Sequence, residues 1–366
     1  MGLREAPFVL HEHVALRPLT TLGVGGPARW FARAESDGDV AAIHQWCSER
    51  SLPFFVLGGG SNVIVSDEGY PGLVLFMAVT GLTITETGGE AIVTCGAGEA
   101  WDRVVESATE RGLSGIECLS GIPGTVGGTP IQNVGAYGQE VAGTIERVFA
   151  FDRSRSEQTA LASSDCHFSY RMSRFKAEDA GRFVVCGVSF RLTRSAPTLT
   201  YPELVSELGA RGVSSPEPAS IREAVLAIRR RKGMVLDARD SDTRSVGSFF
   251  MNPVVTRDAV ERVAALAGER VPSFAATPGH VKIPAAWLIE RSGLPKGSGG
   301  ATAGLSTKHP LAIVNRGGAN ARDVLRFAVQ VKRAVLDWCG ISLRPEPVFV
   351  GLDGDDEVEF LRKACG

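Results

Sequence analysis

Positive charge is what this sequence most plainly lacks. Its 39 lysines and arginines are set against 41 acidic residues, for a formal net charge of −2 and a pI of about 6.3. The one basic block is Arg229-Arg230-Arg231-Lys232. Proteins that grip nucleic acid through its phosphates usually carry a basic excess, so nucleic acid is not an expected partner. Also missing are a run approaching the roughly 18 apolar residues of a membrane span and an apolar segment after a basic start. Neither a signal peptide nor a membrane partner is expected. The seven cysteines (Cys47, Cys95, Cys118, Cys166, Cys186, Cys339 and Cys365) contain no CxxC pair, and only His11 and His13 cluster among six histidines. Reduced thiols in a cytoplasmic protein are expected, with no disulfides and no metal site.

What is abundant is glycine, 43 of 366 residues, above the usual share of about 7%. A chain this long is expected to form two or three domains. Its first half alternates runs of Val, Ile and Phe with Gly-rich turns: PFFVL, NVIVS, GLVLF, AIVTCGAG and RFVVCGVSFRLTR read as strands. One helix interrupts them, near Glu99 to Arg111, with Trp101, Val104, Val105 and Ala108 on one face and Gly112 as its stop. A second is predicted from Ser220 to Lys232, with a Ser220–Glu223 capping box and an Ile221, Val225, Ile228 stripe. The second half reads as richer in helices: Thr256 to Leu266 ending at Gly268, Pro284 to Arg291 before Gly293, and Asn320 to Trp338. The change of texture near 195–233, which contains GVSSPEPAS, is the expected boundary. The acidic end, DGDDEVE, lacks EF-hand ligand spacing and reads as a solvated tail.

Two glycine loops stand out. Gly58-Gly59-Gly60-Ser61-Asn62 lies between two predicted strands, and GIPGTVGGTPIQNVGAYG (121–138) holds six glycines and two prolines. Neither loop can be a stable helix, and the second is a poor strand. The first continues into a strand, so it is neither a Rossmann fingerprint nor a P-loop. Successive amides unshielded by side chains do suit a diphosphate.

Taken together, these loops resemble the flavin-contacting segments of the UDP-N-acetylenolpyruvoylglucosamine reductases, the MurB family of cell-wall (peptidoglycan precursor) synthesis. The resemblance runs nearly the whole chain, in order: ALRPLTTLGVGGPA (15–28), PFFVLGGGSNVIVSDEGYPGLVL (53–75), LSGIPGTVGGTPIQNVGAYG (119–138), FSYRMSRFK after His167, GSFFMNP (247–253) and LRPEPVFVG (343–351). It implies an α+β, vanillyl-alcohol-oxidase-like (PCMH-type) FAD-binding fold of two subdomains plus an α+β substrate-binding domain. The expected partition is 1–85 and 86–232 for the FAD subdomains, 233–338 for the substrate domain, and 339–366 returning to the active site. Non-covalent FAD is the implied cofactor and NADPH the co-substrate. Contact with FAD is implied for Gly58, Gly59, Gly60, Ser61 and Asn62 in the first loop. In the second it is implied for Ser120, Gly121, Ile122, Pro123, Gly124, Thr125, Gly127, Gly128, Asn133, Gly135, Ala136 and Tyr137.

The same resemblance implies the reaction. NADPH reduces FAD and leaves, UDP-N-acetylglucosamine enolpyruvate enters, hydride reaches C3 from flavin N5, and a proton must reach C2. Arg171 is implied to hold and polarise the enolpyruvyl carboxylate, Ser248 to donate the proton, and Glu346 to assist from the opposite side. Planar guanidinium suits a carboxylate fork. A serine is a feeble acid alone, so neighbours must stabilise its alkoxide, with Lys232 the candidate by position. Four cations ending a helix also compensate its macrodipole without any ligand. LTYPEL (199–204) resembles a loop whose tyrosine, here Tyr201, folds over the sugar nucleotide; otherwise Tyr201 is an ordinary strand aromatic. Asn252 matches an asparagine near the diphosphate, and KGSGGATAG (296–304) receives no role. Two rivals remain: a sugar or alcohol oxidase of the same fold, and a flavin- or nucleotide-sugar binder without catalysis. The first usually attaches FAD through His or Cys, and the first loop offers neither. No GxSxG elbow marks Ser248 as a hydrolase nucleophile. A monomer or weak oligomer is the expected state.

Overall fold

The computed structural model describes residues 6–363. They form two compact units, one of residues up to Val14 with Ala28–Gly60 and Tyr70–Val235, the other of Ala15–Pro27, Ser61–Gly69 and the residues from Leu236 on. The change at 235/236 lies just beyond the expected boundary at 232/233. Residues 15–27 and 61–69, expected in the first FAD subdomain, fall in the second unit, and so do residues from 339 on.

Among the described residues, the first unit holds two larger sheets and one short two-stranded hairpin. In one, the strands run Leu10–Ala15, Pro27–Ala34, Tyr70–Met77, Phe54–Leu57. Tyr70–Met77 is parallel to both of its neighbours, pairing Phe31 and Phe55 with Val74. The other is a five-stranded sheet ordered Glu157–Ala162, Ile145–Asp152, Phe183–Thr193, Glu90–Gly96, Leu82–Thr87. Every neighbouring pair in it is antiparallel, and central Phe183–Thr193 is buried along most of its length. Its helices are α1 (Asp37–Ser48), α2 (Trp101–Glu110), α3 (Pro202–Ala210) and α4 (Pro218–Arg231). One core joins Trp30, Trp46, Leu73, Val93, Trp101 and Phe190. A smaller one packs α3 on α4 through Leu204, Leu208, Ile221, Val225 and Ile228. Apolar residues three and four apart give each helix its buried stripe.

The second unit contains α5 (Arg257–Ala267), α6 (Ala285–Arg291), α7 (Ala321–Cys339) and α8 (Asp356–Arg362). They accompany three small sheets: Val254–Thr256, His280–Lys282, Phe274–Ala275; the pair Ala303–Leu305 and Ile313–Asn315; and the parallel pair Val63–Val65 and Val348–Val350. Its core gathers on α7 through Val324, Leu325, Ala328, Val331 and Val335.

Several sequence expectations are corrected. Helix α1 went unread, although Ser36 and Asp39 cap its start reciprocally, at 3.1 and 2.9 Å. The capping pair of α4 is not Ser220 with Glu223: the Ser220 hydroxyl accepts the Glu217 N–H at 3.1 Å, so the helix starts earlier, at Pro218. Tyr201 is not on a strand but stands at the N-cap position of α3, with Pro202 next. The acidic end is no solvated tail. Asp355 accepts the Val358 N–H to start α8, whose Val358 and Leu361 are buried.

Candidate active site

In the first unit the two glycine loops press against each other. A Cβ on Gly58 would stand 2.7 Å from Thr125 Oγ1, and one on Gly59 would stand 2.6 Å from the Gly124 Cα. Real Cβ atoms do not approach backbone that closely, so Gly59 admits only hydrogen, and a Cβ on Gly58 would have to displace the Thr125 hydroxyl. Gly127 is equally confined, by the Cβ of Ala97 at 2.7 Å, and its N–H donates to the Ala97 carbonyl at 2.8 Å. By contrast no protein atom lies within 4 Å of a Cβ built on Gly128. Ser120 is fully buried and spends its hydroxyl on the Glu117 carbonyl at 2.7 Å; Ile122, Pro123 and Ala136 are half-buried.

Gly121 is held from both sides by residues that composition did not single out. Its N–H donates to Asp102 Oδ1 at 2.6 Å, and its carbonyl accepts from Arg229 at 3.3 Å. Arg222 grips both Asp102 oxygens, at 2.6 and 2.9 Å. Burial works to raise the Asp102 carboxyl, but the Arg222 fork and the Gly121 N–H outweigh it and hold it below its ordinary value. Burial likewise pulls Arg229 below the usual arginine value. The signal in the sequence was the seven-residue spacing of Arg222 and Arg229, which sets both on one face of α4.

Arg171 sits at the tip of a tight turn with φ of +56°, in the left-handed region. Its guanidinium donates to the Asn133 carbonyl at 3.2 Å and to the Gly135 carbonyl, and lies 3.9 Å from Glu140. Asn133 is buried, with its carboxamide bonded to Glu140 and to the Ser169 carbonyl at 2.8 and 3.0 Å. Gly135–Ala136 pairs with Gln139–Glu140 as a short hairpin.

Tyr137, Tyr201 and Lys232 come together. The two rings meet edge-on, with centroids 5.2 Å apart, and the Lys232 ammonium lies 6.0 Å from the Tyr137 centroid. Lys232 is also paired with Glu203 on α3 at 2.5 Å. Burial pushes the Tyr137 phenol up to about 12 and, with Glu203 second, raises that of Tyr201.

In the second unit the segments carrying Ser248 and Glu346 are joined through their backbones. The Glu346 N–H donates to the Phe249 carbonyl at 2.8 Å, Met251 donates to Arg344 at 2.9 Å, and Phe250 faces Pro345 in an antiparallel bridge. Phe249 and Phe250, both buried, anchor this seam in the core. Asn62 joins it, its carboxamide donating to the Glu346 carbonyl at 3.4 Å and its carbonyl accepting from Val348 at 2.9 Å. Ser61 and Asn62 thus belong to the second unit and Gly58 to Gly60 to the first. The Asn252 side chain accepts the Ala285 N–H at 2.9 Å, which satisfies an otherwise orphaned donor in the first turn of α6.

Residues 28–151, which include the glycine loops shaped by mutual contact and Asp102 of the half-buried charged group beside Gly121, match the family described as FAD binding domain, so the first unit is of a flavoprotein class. Residues 239–350 match the UDP-N-acetylenolpyruvoylglucosamine reductase C-terminal domain. The UDP-N-acetylenolpyruvoylglucosamine reductase of Thermobifida fusca is 45% identical over 350 residues, 93% of this chain and 98% of that one. That of Mycobacterium tuberculosis is 47% identical over 359 residues, 93% of this chain and 95% of its own. The crystal structure of the Thermus caldophilus enzyme superposes with a TM-score of 0.63 at 27% identity, covering 93% of this chain and all of that one. The chain belongs to the UDP-N-acetylenolpyruvoylglucosamine reductase family, and its fold is the expected α+β FAD-binding one.

Proposed function

We propose that the protein reduces UDP-N-acetylglucosamine enolpyruvate to UDP-N-acetylmuramate with NADPH, in cytoplasmic peptidoglycan precursor synthesis, as a monomer or weak oligomer. Among the described residues no helix is long and apolar enough to cross a membrane. FAD, when bound, takes hydride from NADPH and supplies it to C3 of the enol ether. Gly58 and Gly59, which a Cβ would crowd and which are not buried, fit such a cofactor, because a glycine leaves its main-chain amide unshielded. The main chain of Gly58 to Asn62 and of the Ser120–Tyr137 segment would hold it, with Gly128 offering open space.

The chain's own groups handle charge and the proton. Arg171 holds and polarises the enolpyruvyl carboxylate, where charge builds as C3 accepts hydride. Ser248 donates its hydroxyl proton to C2, and Glu346 assists at the carboxylate. Tyr201, Lys232 and Asn252 contact the sugar nucleotide. Lys232 already pairs with Glu203, so its ammonium is held beside Tyr137.

The observation that carries this reading is the seam between GSFFMNP and LRPEP, which draws the proposed proton donor and its acidic partner onto neighbouring backbone despite their distance in the chain. Ser248→Ala tests it. The variant should bleach normally with NADPH but regain its yellow colour about 10²-fold more slowly on adding substrate, as loss of a key transition-state group usually dictates. Stopped-flow absorbance measures both steps. Recolouring at the wild-type rate, or failure to bleach with FAD still bound, would remove Ser248 from the role of donor.

A further inference from the structure

We propose that Asn133 and Glu140 are positioning residues for Arg171, so that this buried carboxamide serves the arginine and not the flavin. The proposal rests on the function given above. Ser169 and Met172 exchange N–H···O bonds of 3.0 and 3.1 Å, closing a turn with Arg171 at its tip. A non-glycine residue held in the left-handed region persists only where its surroundings over-determine it.

Here the over-determination is visible. Ser173 Oγ donates to the Ile131 carbonyl at 2.6 Å, just after the turn. Asn133 Nδ2 donates to the Ser169 carbonyl at 3.0 Å, at the base of the turn. The Asn133 main-chain carbonyl accepts from the Arg171 guanidinium at 3.2 Å. One residue therefore holds both the base of the turn and the side chain that the turn presents. Asn133 is itself left-handed, with φ of +46°, a conformation asparagine tolerates better than most residues.

Glu140 sets which way the carboxamide points. Asn133 Nδ2 gives its second hydrogen to Glu140 Oε2 at 2.8 Å, while Oδ1 accepts the Ala142 N–H at 3.1 Å. Reversing the amide would put its oxygen against a carboxylate and its nitrogen against another donor, so a single orientation survives. The other Glu140 oxygen lies 3.9 Å from Arg171 Nη1, adding attraction along the same line. Gly135 leaves room for this: a Cβ there would stand 2.7 Å from Glu140 Cγ and 3.0 Å from Arg171 Nη1. Both amide hydrogens of Asn133 are engaged within the protein, which leaves that nitrogen nothing to offer a ligand.

The test separates the two half-reactions of the full-length enzyme. Asn133→Gly keeps the left-handed backbone and deletes only the side chain. It should bind FAD and bleach with NADPH within about threefold of wild type, while substrate-driven reoxidation slows about 10²-fold, the cost typical of a misplaced catalytic group. In an Arg171→Ala background it should add less than about threefold, because the two act as one unit. Glu140→Ala should slow reoxidation by about tenfold or more, and Glu140→Gln should recover most of that, since an amide oxygen still accepts from Asn133. This second pair decides the matter if Asn133→Gly does not fold. Loss of FAD, slowing of both half-reactions alike, independent multiplication with Arg171→Ala, or no recovery in Glu140→Gln would overturn the proposal. Failure of the wild type to reoxidise with substrate would instead strike the proposed function itself.

Discussion

At the scale of the residue, packing divides the loop glycines into those whose Cβ position meets other parts of the protein and those whose position is open. Gly59→Ala would drive a methyl to within 2.6 Å of the Gly124 Cα, which backbone cannot relieve cheaply. We expect it to destabilise the flavin-free protein by about 1–3 kcal/mol, the usual cost of overpacking. Gly128→Ala meets no protein atom within 4 Å, so it should leave flavin-free stability unchanged to about 0.5 kcal/mol while weakening FAD binding. Denaturant melts of the flavin-free proteins, with FAD titrations beside them, check the pair. Equal stability losses in both would contradict the division. Arg171, Ser248 and Glu346 were marked as candidates by their motifs. Glu140 was not, because an exposed-looking acid two residues after a glycine gains its meaning from the fold around it.

Helices α5 and α7 were read almost to the residue, whereas the capped α1 was not read and α4 was read with the wrong capping pair. Thr256, Asn320 and the glycines at 268 and 340 bound α5 and α7 as their side-chain chemistry demands. Those hidden by composition were missed: α8 is acidic enough to pass for a tail, and its docking depends on a residue far away. Lys332 of α7 is fully buried and donates to the carbonyls of Phe360, Leu361 and Lys363 at 2.8, 2.9 and 2.7 Å. A cation at these orphaned carbonyls closes the last helix. Lys332→Met keeps much of the bulk but leaves three acceptors unpaired, so it should cost about 2–3 kcal/mol and speed proteolysis of the C-terminal helix. An unchanged urea midpoint would show that α8 is held by its apolar contacts alone.

For the molecule as a whole, acid lability follows from buried carboxylates. The Arg182 fork, outweighing burial with help from Ser154, holds the Asp152 carboxyl well below its ordinary range. A depressed carboxylate stabilises the fold fully above its unfolded value of about 3.9, and that contribution fades as pH falls below it toward the folded value. Stability should therefore drop between about pH 4 and 2, and Asp152→Asn should be less stable at pH 7 but flatter across that window. Urea midpoints against pH read both, and parallel curves would rule the carboxylate out. At this scale the sequence reached the family and the expected cofactor, whereas the assignment of residues 15–27 and 61–69 to the second unit depends on tertiary pairing that no local pattern records. The most direct measurement is an anaerobic titration of the wild-type protein followed at the flavin absorbance. NADPH should abolish the yellow band, and one equivalent of UDP-N-acetylglucosamine enolpyruvate should restore it without oxygen. A preparation that stays bleached until air is admitted, or that carries no flavin and takes up none, would contradict the account.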